Sequence, residues 1–205
     1  MSESFILYSF RRCPFAMRVR VVLEEKNIPY QVREEDLGNR SNELLAMHPQ
    51  GKVPLLVHIL GDLKHVLYQS TIITEYLDEL MPQNLLMPKS AIMRAKVRMW
   101  SYWCDTIFKP DLDLFKYKFS TLTNEESLLL KKRLNDYLSM WDKSLKEELF
   151  MIGNDITLAD IHLFPFARQF LSAKVNFPGI ENYQYLAKWL ERMVNRPSFI
   201  NAMKK

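Results

Sequence analysis

Apolar and polar positions over the first eighty residues switch repeatedly between a period of two and a helical period. Phe5-Ile6-Leu7-Tyr8 is a compact apolar run of the kind a buried strand uses. Past a turn-like Arg11-Arg12-Cys13-Pro14, Val19, Val22 and Leu23 fall at helical spacing, which predicts a helix over 16–26 with Pro14 where a first turn tolerates it. Asn27-Ile28-Pro29 stops it, and the alternation over 30–33 predicts a half-exposed strand. A short helical piece over 42–47 ends before His48-Pro49. Leu55-Leu56-Val57 reads as a strong strand, Gly61-Asp62 as a hairpin turn and Val66-Leu67 as the returning strand. Ile72, Ile73, Tyr76, Leu77 and Leu80 then mark an amphipathic helix over 70–80. The expected order is strand, helix, strand, helix, strand, strand, helix.

After a segment with two prolines (81–88), the pattern is helical throughout. Long periodic stretches cover 91–109 and 125–149, and Gly153-Asn154-Asp155 breaks the second. Thr157, with Asp160 three positions on, caps a further helix in a variant of the capping box. Two shorter helices over 182–193 and 197–203 close the chain. The fold class expected is α/β plus all-α: an α/β domain over 1–81, a linker over 82–88 and an all-helical domain over 89–205.

A chain of 205 residues has room for two small domains, and 48% hydrophobic content supplies their cores. The net charge is +4 and basic residues are interspersed with acidic ones, so the concentrated stripe of a nucleic-acid binder is missing. The first residues lack the basic stretch and small-residue cleavage site of a secretory signal. No apolar window approaches the roughly 18 residues of a membrane span. Two cysteines are too few for a disulfide framework, so reduced thiols and a cytoplasmic setting are expected.

Cys13 carries the sharpest chemistry. It stands between a strand and a helix start, where the helix favours an anion, and Arg11, Arg12, Arg18 and Arg20 lie close in sequence. Both effects favour a reactive thiolate, against the alternative of a buried structural cysteine. In Cys13-Pro14-Phe15-Ala16 the place of a resolving cysteine is taken by Ala16. A mixed disulfide at Cys13 therefore needs an external thiol, for which glutathione is the cytosolic candidate. Val53-Pro54 before a strand could be cis, turning the Val53 backbone toward an extended ligand. Gln69-Ser70 at a helix start suits a carboxylate, or is an ordinary cap. Cys104 sits among Trp100, Tyr102 and Trp103, as a core residue would. His48, His58, His65 and His162 share no ligand spacing, so no metal is expected, and His162 reads as packed core.

Taken together, Cys-Pro-Phe-Ala, Gly51-Lys52-Val53-Pro54-Leu55-Leu56 and the run from Tyr68-Gln69-Ser70 to Asp78 resemble the thioredoxin-like domain of cytosolic glutathione transferases. The resemblance is to their cysteine-containing, omega-like branch and its bacterial relatives. The segment from Ile156 to Ile161 resembles the capping motif of that family's helical domain. The resemblance implies Cys13 as catalytic residue, where other branches use Tyr or Ser, with Phe15 lining the pocket. Val53, before a cis Pro54, would pair with the cysteinyl part of glutathione. Gln69 and Ser70 would hold the γ-glutamyl end, and Arg40 or Lys52 the glycyl carboxylate. Trp100, Trp103 and Phe108 would line a second-substrate pocket, or simply fill the core. The co-substrate would be glutathione and the acceptor a small electrophile or a disulfide. A homodimer is implied, with Met93, Val97, Met99, Trp100, Tyr76 and Leu80 offering apolar surface.

Two other readings compete with the enzyme. Some relatives of this architecture bind RNA polymerase and have lost the glutathione site, whereas this chain keeps cysteine, Val-Pro and Gln-Ser together. A channel-like relative that enters membranes shares Cys-Pro-Phe, but the first helix here is too charged to span a bilayer.

Overall fold

The computed structural model describes residues 3–171, 177 and 182–204, so the outermost residues of the expected domain spans lie outside it. Those residues form two compact units, each with its own core.

The first unit is built on a four-stranded sheet of β1 (Glu3–Ser9), β2 (Gln31–Glu34), β3 (Leu55–Leu60) and β4 (Leu63–Tyr68), in the order β2-β1-β3-β4. β2 runs parallel to β1, and β3 and β4 are antiparallel to their neighbours. Pairing of Phe5 with His58 and of Leu7 with Leu56 puts those side chains on one face, and the period of two sends Ile6, Tyr8, Leu55 and Val57 to the other. The second face packs on Leu44 and Met47 of α2 (Asn42–Met47). α1 (Pro14–Glu25) and α3 (Ser70–Leu80) pack on each other, and Tyr76 of α3 reaches His58 on the first face. All the predicted elements of this half are present, and α2 and α3 have the predicted bounds.

α1 is buried beyond the Val19, Val22 and Leu23 positions that its spacing marks: everything from Ala16 to Leu23 is buried, including Arg18 and Arg20. Each guanidinium finds an acceptor, Arg18 on Ser70 Oγ and Arg20 on the Arg11 carbonyl, which is the condition for burying such a group.

The domain bounds also differ. The first unit runs to Leu85, because the buried Lys26 ammonium pairs with Asp78 at 2.6 Å and donates to the carbonyls of Met81, Gln83 and Asn84 at 2.9–3.1 Å. Half of the expected linker is thereby built into this unit. The last helix, α9 (Pro197–Ala202), belongs to it as well, where the sequence reading gave it to the helical domain. It packs on α1, with Ser198 bonded to Glu25 and Arg11 to the Met203 carbonyl. A short helix has too little pattern of its own to reveal its partner.

The second unit, Leu86–Arg196, is helical: α4 (Ala91–Trp103), α5 (Lys109–Asp113), α6 (Asn124–Ser144), α7 (Leu158–Leu171) and α8 (Gln184–Val194). The helix expected to stop before Pro110 continues past it. A wide π-helical turn over Cys104–Phe108 joins α4 to α5, and a second follows over Leu114–Lys118. Proline cannot donate to the carbonyl four residues back, and a widened turn is one way a helix absorbs that loss. α6 starts on a capping box of Thr123 and Glu126 and ends at Ser144, short of the expected 149, where buried Leu145 turns off the helix axis.

Among the described residues no helix is long and apolar enough to cross a membrane, and no cluster of three or more His, Cys, Asp or Glu could hold a metal.

Candidate functional site

β1 leads into Cys13, whose backbone is extended (φ −72°, ψ 119°) and which caps α1 without a side-chain bond to the helix. Pro14 follows at the first helical position, which fixes the turn that presents the sulfur. Cys13 is half-buried, and its Sγ lies 3.9 Å from the Val53 carbonyl oxygen. Val53–Pro54 is cis. Gln69 holds φ +70°, a left-handed conformation that non-glycine residues seldom adopt, directly before Ser70 opens α3. Outliers of this kind cluster where a ligand is held.

These residues converge. A cavity of about 380 Å³ in the first unit is lined by Cys13, Phe15, Arg40, Lys52, Val53, Pro54, Gln69 and Ser70. Leu37, His48 and Gly51 complete the lining and were absent from the sequence-based set. Gly51 could have been read in advance. It sits at φ +56°, and a Cβ there would collide with the Arg40 side chain, whose Nε donates to the Gly51 carbonyl at 2.7 Å. The glycine thus lets Arg40 lie flat along the loop beside the cavity.

The electrostatics favour an anion at this place. Burial pulls the Arg20 guanidinium down from its usual range, while Glu34, Tyr30 and the Cys13 sulfur act on it in the opposite sense. The attraction between Arg20 and Cys13 is mutual and favours the thiolate. Arg18, fully buried, donates from Nη1 to Ser70 Oγ at 3.1 Å and lies over the Phe15 ring at 5.1 Å. Uncapped N–H groups at the start of α3 add partial positive charge.

The second unit has its own cavity, about 640 Å³, lined mainly by Met93, Met99, Trp100, Trp103, Met140 and Met151, with Lys96 and Glu148 among the lining residues. Trp100 and Trp103 are therefore cavity residues. Phe108 is not: it is fully buried and stacks on Trp103 at 5.4 Å, so it backs the wall. The wide turn after Trp103 brings residue i+5 beneath residue i, a pairing that a regular helix would not make. Cys104 and His162 are buried, as expected, with His162 Nδ1 2.7 Å from Ser101 Oγ.

Comparison with known proteins bears on the same residues. The model of the glutathione S-transferase N-terminal domain matches residues 7–85, and that of the C-terminal domain matches 104–197. Glutathione S-transferase U19 of Arabidopsis thaliana is 30% identical over 207 aligned residues, spanning 99% of this chain and 91% of its own length. The chain belongs to the glutathione S-transferase family. The two family models and the transferase relatives support a transferase with glutathione as co-substrate. A solved Tau class glutathione S-transferase from mango, Mangifera indica, superposes with a TM-score of 0.85 at 26% identity, covering 98% of this chain and 93% of its own. The stringent starvation protein A homolog of Histophilus somni is 27% identical over 189 residues, 92% of this chain and 85% of its own. These matches do not single out the omega-like branch.

Proposed function

We propose that this glutathione transferase works through Cys13, in glutathione-dependent thiol transfer of the kind the omega-like branch performs. The observation behind the proposal is that the sulfur, the cis Val53–Pro54 backbone and Ser70 line one cavity. In this reading the Val53 backbone pairs with the cysteinyl unit of glutathione and Gln69 with Ser70 holds the γ-glutamyl end. Arg40 and Lys52 are the cations available to the glycyl carboxylate. The Cys13 thiolate attacks the glutathionyl sulfur of a mixed disulfide R–S–SG, forming Cys13–S–SG and releasing RS⁻. A second glutathione thiolate attacks that bond, leaving oxidised glutathione and the Cys13 thiolate, while its proton goes to RS⁻. The net exchange turns R–S–SG and one glutathione into RSH and oxidised glutathione.

The test is the rate of Cys13 alkylation against pH, with the buried Cys104 as internal control. The expected midpoint lies well below the roughly 8.5 of an ordinary cysteine. A midpoint at or above that value removes the activated thiolate.

We also propose a cytoplasmic homodimer. Ile92, Met93 and Met99 on α4 are exposed and apolar, although Val97 is buried and unavailable. Light scattering at micromolar concentration should give twice the 24.4 kDa chain mass, and a monomer would rule the dimer out. A second reading, a regulator without catalysis, draws on the similarity to the stringent starvation protein A homolog. That reading predicts no glutathione binding.

A further inference from the structure

Ser70 is the first residue of α3, is 4% exposed, and accepts the Arg18 Nη1 hydrogen bond on its Oγ. A guanidinium can only donate. The bond therefore occupies a lone pair of Ser70 and leaves the hydroxyl proton uncommitted, and among the described residues Ser70 Oγ donates to no protein acceptor. Ser70 lines the cavity, so the proton has an outlet there. Arg18 itself is fully buried and does not line the cavity, and its guanidinium is braced by the ring of Phe15, which does. A fixed positive charge behind a hydroxyl makes its O–H the stronger donor to an anion.

We propose that Arg18 is a positioning residue: by donating to Ser70 Oγ, it commits the Ser70 hydroxyl to donate into the cavity and so selects a carboxylate at the start of α3. The inference rests on the glutathione reading, in which that carboxylate is the γ-glutamyl one. It assigns specificity to a side chain that does not line the cavity.

Calorimetric titration of the full chain with glutathione and with cysteinylglycine separates the cases, since the dipeptide keeps the thiol and lacks the γ-glutamyl carboxylate. Arg18→Met should weaken glutathione by about tenfold and leave cysteinylglycine unchanged. Arg18→Met combined with Ser70→Ala should bind glutathione no more weakly than Ser70→Ala alone, because both act through one hydroxyl. Equal weakening of both ligands, no weakening of either, or additive losses in the double variant would overturn the proposal. If Arg18→Met does not fold, Arg18→Lys decides. Its point charge lacks the planar reach of the guanidinium, so glutathione should weaken severalfold with the dipeptide unchanged, and any other pattern is contrary. A wild-type chain that binds neither ligand would remove the glutathione reading itself, and the role of Arg18 with it.

Discussion

Cys13→Ser is expected to abolish thiol transfer, by about 10³-fold or more, while glutathione affinity stays close to wild type. The sulfur is the group that forms and breaks the mixed disulfide, and serine cannot form an S–S bond. The proposed binding contacts come from elsewhere on the cavity wall: the Val53 backbone, Gln69, Ser70 and the cations Arg40 and Lys52. Ser70→Ala should show the reverse pattern, weakening glutathione by about 1–3 kcal/mol through the loss of a hydrogen bond to a charged group. Titration calorimetry with steady-state transfer rates on both variants reads out the division. Loss of binding in Cys13→Ser would mean that the sulfur anchors the ligand as well as reacting with it.

Asp160→Ala carries the largest expected effect on stability. Asp160 is fully buried and accepts from Met151 N, Thr157 N, Thr157 Oγ1 and Trp189 Nε1 at 2.8–2.9 Å. One carboxylate thus caps α7, fixes the turn before it and ties in α8. Burial pushes its carboxyl up from the usual range, against the donors that favour the charged form. Alanine leaves those buried donors without an acceptor, and each such group costs about 1–3 kcal/mol. Relaxation and water entry reduce the sum, so about 3–5 kcal/mol is expected, a large share of the ~5–15 kcal/mol of a typical domain. Urea unfolding should show a lower midpoint with an unchanged slope. A loss below about 1 kcal/mol would show that the network is not what holds the α7 start.

How far the sequence reveals this molecule depends on the range of the forces involved. α2 and α3 are legible because local rules fix them: Ser41 caps α2 through the Leu44 N–H, and the apolar face of α3 repeats at helical spacing. The Thr157–Asp160 cap is legible for the same reason. The burial of Arg18 and Arg20 is not, because arginine is read as exposed unless its acceptors are known. Ser70, which accepts from Arg18, is about fifty residues away in the chain. Phe108, left open between pocket and core, falls in the core because its position depends on the widened turn, which a periodicity argument treats as regular helix. The residues that converge on the cavity were found one motif at a time, and their convergence is a property of the fold. His48 and Leu37 were missed since nothing local distinguishes a loop side chain that lines a cavity from one that meets solvent.

The central claim, that Cys13 exchanges thiols with glutathione, is tested most directly by mass. The chain is incubated with oxidised glutathione, its intact mass is measured, and the modified peptide is mapped before and after adding reduced glutathione. The account predicts one glutathionyl adduct per chain, on the peptide bearing Cys13, removed by the reduced thiol. An adduct confined to Cys104, or an unmodified Cys13 in a chain that still catalyses transfer, would contradict it.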